Sequence, residues 1–397
     1  MSCQALKLCL LIIFFGILTS SSILGEKLAS KDKFSILNPY AIKKKHEWRA
    51  SLHNHSRFKP DYTHAPVPSP ERLKEYRDAK VSPPYGVVAI TEHGRITLPA
   101  NTIPKGESPQ WGVKGILFVP GIEGTIGSRE KGGANCGKLF GEICCVGVSK
   151  KCNDVNNRDS FRHHCRNEWM AEERLSRMIK DGVFVALCHP NSLIEIDGIQ
   201  KWHSSGYTYD ELELIFGNPE KGIRAFKNLP DALEIGNKGY DFSKRTKYKN
   251  AEEKWDHLLS KGNRLWGTAS EDAHGHASFE GWVVVYMDEL TQNELLKSLK
   301  SGNFYASQGP AIESVQLKNK TITIKTNTPS TIEFIGKNGK ILQKEDNATQ
   351  SSYTVKGSEL YVRGRVTREC PGLRNIEGGI GKRRSAWTNP FFIEPIK

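Results

Sequence analysis

The stretch SLHNHS sets His53 and His55 two residues apart, so on an extended strand both imidazoles point to one face. Four other stretches place acid or imidazole groups directly behind an apolar run. They are AITEHG with Glu92 and His93, FVPGIEG with Glu123, VALCHPN with His189, and GTASEDAHGH with Asp272 and His274. Imidazole nitrogen and carboxylate oxygen together suit zinc, manganese or iron, and spacing does not choose among them. Each stretch alone has a plain structural reading: a strand-end His is often just hydrogen-bonded, and PGIE is an ordinary turn. Taken jointly, at the ends of five strand-like runs, they describe a metal cluster. Other catalytic schemes find no support, since the chain contains neither G-x-S-x-G nor G-x-x-x-x-G-K-[ST]. GGIGKRRS has the wrong spacing and no strand–helix context for a phosphate loop.

These groups need a scaffold that brings strand ends together. From about residue 46 to 303, β-rich runs alternate with helical segments, which reads as α/β. The strand candidates are WRASLHNH, GVVAIT, GILFVPG, VFVALCH, DALEIG, RLWGTAS and WVVVYM; helices are expected at 70–80, 167–181, 251–261 and 291–301. Thr291 and Glu294 have capping-box spacing. In a β/α barrel, side chains at the C-terminal strand ends converge on one mouth. Residues 124–165, rich in Gly, Asn and Cys, read as an inserted loop within the 46–303 unit. Residues 304–397 hold short alternating strands and no histidine, and read as a separate β-rich, sandwich-like domain.

The ordered set His53-x-His55, Glu92-His93, Pro120-Gly121-Ile122-Glu123, His189-Pro190 and Asp272-x-His274 resembles the polymerase and histidinol phosphatase (PHP) superfamily, in its exported two-domain form. The resemblance covers about residues 46–303 and implies a distorted seven-stranded β/α (TIM-like) barrel with two or three divalent metal ions. It implies that His53, His55, Glu123 and Asp272 hold the first ion, and that Glu123 bridges to a second bound by His189. His93 and His274 would hold a third, with Asp61 or His64 as a further ligand. Asp272, Glu123 and His189 would then be the catalytic centre. The superfamily usually has Asp where Glu92 stands, and a histidine after the P-G-x-E strand. No histidine lies between Glu123 and His163, so Asn135, Cys136 or one of Cys144 and Cys145 would substitute, His163 and His164 would reach back, or the second site is incomplete.

The implied reaction is hydrolysis of a phosphate ester by a metal-bound hydroxide. His203 and Arg95 are candidate acids at the leaving group; Arg57, Lys59, Arg95, Arg129 and Lys131 are candidates to orient a phosphate. A carboxylic ester or carbamate hydrolase would use the same cluster, and a non-catalytic metal-containing binding protein would retain an incomplete one. The net charge of +13 favours a small or polymeric anionic substrate. Nucleic acid is supported only weakly, because no basic repeat is interleaved with aromatics.

Residues 1–25, with Lys7 ahead of the apolar run 8–18, read as a secretory signal, and 26–45 as a linker. The run is short for a membrane span, although an uncleaved anchor is an alternative, and no other segment has that character. An exported chain favours disulfides among Cys136, Cys144, Cys145, Cys152 and Cys165, whereas Cys188 reads as a buried small hydrophobe. Asn54, Asn319 and Asn347 fit the glycosylation rule, Asn54 within the proposed site. Oligomeric state is not written in the sequence.

Overall fold

A computed structural model describes residues 33–55, 70–92, 113–127, 140–148, 168–180, 183–191, 195–196, 199–200, 206–238, 251–274, 276–370 and 383–396. The first half holds β1 (Phe34–Leu37), β2 (His46–Ser51), α1 (Pro70–Arg77), β3 (Tyr85–Ile90), β4 (Leu117–Gly127), β5 (Phe140–Val146), α2 (Glu168–Lys180) and β6 (Phe184–Leu187). It continues through β7 (Glu195–Ile196), β8 (Ile199–Gln200), α3 (Tyr209–Phe216), β9 (Ala232–Asn237), α4 (Glu252–Ser260), β10 (Trp266–Ser270), β11 (Trp282–Met287) and α5 (Gln292–Ser301). The last seven are β12 (Phe304–Ser307), β13 (Ser314–Lys318), β14 (Thr321–Gly336), β15 (Lys340–Thr354), β16 (Tyr361–Glu369), β17 (Arg383–Thr388) and β18 (Phe391–Pro395).

The expected β/α barrel and separate sandwich are corrected by the strand pairing. The described residues form one large mixed sheet of 16 strands, ordered β1-β18-β16-β17-β12-β11-β2-β3-β4-β5-β6-β9-β10, with β13 to β15 branching from β16 through β14. No closed barrel is present among them. Repeated β/α units would require a crossover helix between parallel neighbours. Instead β5, which falls inside the stretch read as an inserted loop, runs antiparallel to both β4 and β6. Likewise β11 is antiparallel to β2 and to β12, and β12 passes the sheet on to β17.

One expectation of that reading is met by other means. The pairs β2–β3, β3–β4, β6–β9 and β9–β10 are parallel, and the antiparallel β5 restores the direction of β6 to that of β4. The C-terminal ends of β2, β3, β4, β6, β9 and β10 therefore lie along one side of the sheet.

Strand β3 explains why this sheet is buried on both faces. Its run YGVVAI alternates between two apolar cores: Val87 and Ala89 pack in one, Val88 and Ile90 in the other. Burying each of the Val and Ile side chains contributes about 1.5–3 kcal/mol. The helices expected from the sequence form with slightly retracted ends. Thr291 Oγ1 accepts from Glu294 N at 3.3 Å and caps α5, while the Glu294 carboxylate pairs with Lys44 instead of closing the capping box. Helix α3 carries the complete box, through Thr208 and Glu211.

Among the described residues no helix is long and apolar enough to cross a membrane, and residues 1–25 lie outside them. Cys144, Cys145, Cys188 and Cys370 are buried thiols, so the disulfides expected at Cys144 and Cys145 are not formed. Cys136, Cys152 and Cys165 lie outside the described residues.

Candidate metal centre

His53 and His55 follow the end of β2 on a backbone held from both sides. Thr91 N donates to Asn54 O at 2.8 Å, Asp272 N to His53 O at 3.2 Å, and His55 N to Ala273 O at 3.1 Å. Strand alternation then turns both imidazoles one way and Asn54 the other. Asn54 Nδ2 donates to Ser51 Oγ at 2.6 Å, and Tyr76 Oη donates to Asn54 Oδ1 at 2.6 Å. That buried pairing withholds Asn54 from glycosylation. Arg72, fully buried, donates from Nε to His55 O at 3.2 Å and from Nη2 to Ala273 O at 3.4 Å, tying the two loops together.

Glu123 lies on β4, two residues after Gly121. A side chain at Gly121 would meet Thr91 Cγ2 at 2.6 Å and Cys145 O at 2.9 Å, so only glycine lets β4 sit this close to both neighbours. Two other site residues occupy left-handed backbone: His189 has φ 25° and Asp272 has φ 51°. Such backbone costs of order 1–3 kcal/mol at a non-glycine residue and clusters at functional sites. Here it has a positional effect. Cys188 and His189 are consecutive, and regular alternation would face them oppositely; the turn at His189 lets both present ligand atoms to one place.

The result is a convergence of four ligand groups: His53, His55, Glu123 and Asp272 offer atoms all within 4.8 Å of one another. His53 Nε2 lies 3.4 Å from Glu123 Oε2 and 3.3 Å from Asp272 Oδ1. His55 Nε2 lies 3.2 Å and 3.1 Å from the same two oxygens. A tetrahedron with metal–ligand bonds of about 2.1 Å has edges of about 3.4 Å, so these spacings fit a small divalent cation. His53 Nε2 is buried and has no hydrogen-bond partner among the described residues, which leaves its lone pair for such an ion. The donor set of two imidazoles and two carboxylates suits zinc, manganese or iron.

Charge in the cluster points the same way. Burial opposes ionisation of His53, yet Cys144, Asp272, Glu123 and Glu234 raise its pKa well above the usual imidazole value. Burial likewise works against the Glu123 carboxylate, but His53, His189 and His55 hold it well below the usual range. Asp272 is lowered against burial chiefly by His53 and His55. The site thus draws positive charge into a buried position.

The sequence reading missed Glu234, whose signal was a lone acid within the apolar strand β9. Its Oε1 lies 3.1 Å from His53 Nδ1, and Ser270 Oγ donates to the same oxygen. Its Oε2 accepts from the His189 backbone N–H at 2.6 Å and from Asn237 Nδ2 at 2.8 Å. Glu234 therefore fixes the tautomer and ring angle of His53 and the turn at His189 in one contact set. Glu234→Gln is expected to weaken divalent-metal affinity ~10–100-fold with little change in unfolding midpoint, as read by competition with a chromogenic chelator.

On the far side of Glu123, His189 Nε2 lies 3.0 Å from Glu123 Oε1 and 3.6 Å from Glu142 Oε2. His274 sits at the rim: its ring stacks on His55 with centroids 4.0 Å apart, and Nδ1 lies 3.0 Å from the Asp272 carbonyl. Glu92 Oε2 is 3.6 Å from His55 Nδ1, behind the ring rather than among the converging atoms. Asp61, His64, His93, Asn135, Cys136, His163, His164 and His203 lie outside the described residues, as do Arg57, Lys59, Arg95, Arg129 and Lys131. A cavity of about 980 Å³ lies apart from this cluster, against α4, β14 and β16, and none of the converging residues lines it. Several of its arginines are engaged in ion pairs, Arg363 with Asp256 and Glu252 and Arg365 with Glu333.

No family model matches the chain, and no curated protein matches it. Among solved structures, the chain is similar to a two-domain protein from Bacteroides vulgatus that contains a predicted PHP-like metal-dependent phosphoesterase. The likeness has a TM-score of 0.39 and 14% identity, and covers 89% of this chain and 98% of that one.

Proposed function

We propose that this chain is an exported metal-dependent hydrolase that cleaves phosphate esters. The observation that carries the reading is the convergence of His53 and His55 after β2, Glu123 within β4 and Asp272 after β10. The order of those residues in the sequence, which resembles the PHP superfamily, and the positive net charge support an anionic ester as substrate. Export through residues 1–25 belongs to the same proposal.

Bound divalent ions supply an activated water near neutral pH and neutralise charge that develops on a transferred phosphoryl group. The chain's own part is positional. His53 and His55 present Nε2 from a doubly anchored backbone, with Nδ1 of His53 fixed by Glu234. Glu123 spans the centre, one oxygen facing the two N-terminal imidazoles and the other facing His189. Burial of these groups keeps bulk water from screening the interactions.

The test is a panel of phosphomonoesters, phosphodiesters and carboxylic esters, run on the purified chain before and after chelation. Phosphate release that disappears on chelation and returns with a divalent ion is the expected result. Metal-dependent turnover confined to carboxylic esters would replace the phosphoester reading with an esterase, and bound metal without turnover would leave a binding protein.

A further inference from the structure

A second set of ligand atoms stands beside the first: His53, Glu123, Cys188 and His189 also offer atoms within 4.8 Å of one another. His53 Nε2 faces Glu123 Oε2 and Asp272, and one ring nitrogen serves one ion, so His53 remains with the first set. What is left on the far side is Glu123, His189 and Cys188, with His189 Nε2 3.0 Å from Glu123 Oε1; Glu142 Oε2 lies 3.6 Å from His189 Nε2 but outside the converging set. Cys188 reaches this place by a specific backbone arrangement. Its N–H donates to Glu142 O at 2.9 Å, which continues the β5–β6 pairing by one residue, and the φ of 25° at His189 then turns the next side chain back toward the same point.

We propose that Cys188 is a thiolate ligand of a second divalent cation, which shares Glu123 with the first and is also held by His189. This rests on the metallohydrolase reading above and adds an assignment to it. Binding replaces the Sγ–H proton, which passes to solvent, with a sulfur–metal bond; no oxidant or reductant is involved. A thiolate makes the second position a soft one, which selects zinc, cobalt or ferrous iron over magnesium or manganese, while the first position keeps its imidazole and carboxylate donors. Cys144, which neighbours Cys188 and His53, supplies a matched control because it belongs to neither ligand set.

The experiment is titration of the metal-free protein with cobalt(II), followed by absorption spectroscopy and metal counting. The wild type is expected to bind two ions and to show a near-ultraviolet thiolate-to-cobalt charge-transfer band on the second equivalent. Cys188→Ser and Cys188→Ala should both lose that band and bind the second ion at least ~10-fold more weakly, while keeping the visible absorption of the first; Cys144→Ser should keep both features. A wild type that binds cobalt without a thiolate band overturns the assignment and leaves the hydrolase reading standing. A band that survives in Cys188→Ser and vanishes in Cys144→Ser also overturns it. A protein that binds no cobalt at all overturns both.

Discussion

Asp272→Asn is expected to lose bound divalent metal and metal-dependent turnover together while keeping its fold. Asp272 Oδ1 lies 3.3 Å from His53 Nε2 and 3.1 Å from His55 Nε2, so it closes the ring of donors opposite Glu123. An amide keeps the shape and removes the charge. Asn also tolerates the left-handed backbone that Asp272 occupies at φ 51°, so the loop after β10 has no reason to rearrange. Removing a partner behind a ligand costs ~10–100-fold in metal affinity, and removing a ligand should cost more than ~100-fold. Chelator competition, turnover and thermal unfolding measured on one preparation check this. Retention of metal with lost turnover would make Asp272 a proton carrier rather than a ligand.

The second large effect concerns stability and lies at α4. Arg363, on β16, is 1% exposed, and donates to Asp256 from Nε at 2.8 Å and from Nη2 at 2.6 Å. Tyr361 Oη donates to Asp256 Oδ1 at 2.7 Å, and Arg363 also pairs with Glu252 at 2.8 Å. Asp256→Ala would leave a buried guanidinium with one carboxylate of its two. Breaking one side of such a pair costs about 3–5 kcal/mol, a large share of a typical folding free energy. Urea unfolding should show that loss. A change below about 1 kcal/mol would mean that water or Glu252 takes over the contact. The same helix also touches the cluster: Lys254 Nζ donates to Pro190 O at 2.6 Å, one residue from His189.

Much of the converging side-chain cluster was legible in the sequence because its residues sit where apolar strand runs stop. That boundary is a local signal, and it located His53, His55, Glu123, His189 and Asp272 before any pairing was known. Cys188 was not legible as a member of the cluster. A small apolar-like residue inside VALCHP reads as core, and the positive φ at His189 that brings it into the cluster leaves no trace in periodicity. Glu234 was visible as a charge in an apolar strand, but its partner, His53, lies 181 residues away. The closed barrel failed for the same reason. Strand direction and neighbour order depend on long-range pairing, so the antiparallel placements of β5 and β11 could not be read from runs that look alike in either direction. The final strands, too, gave the correct local structure without revealing that β17 pairs with β12 and extends the sheet.

Crystals of the protein loaded with zinc or manganese, with anomalous diffraction recorded at the metal edge, test the central claim most directly. A difference peak within bonding distance of His53 Nε2, His55 Nε2, Glu123 Oε2 and Asp272 Oδ1 is the predicted result. Loaded crystals with those four groups hydrogen-bonded to one another and no peak between them would contradict it.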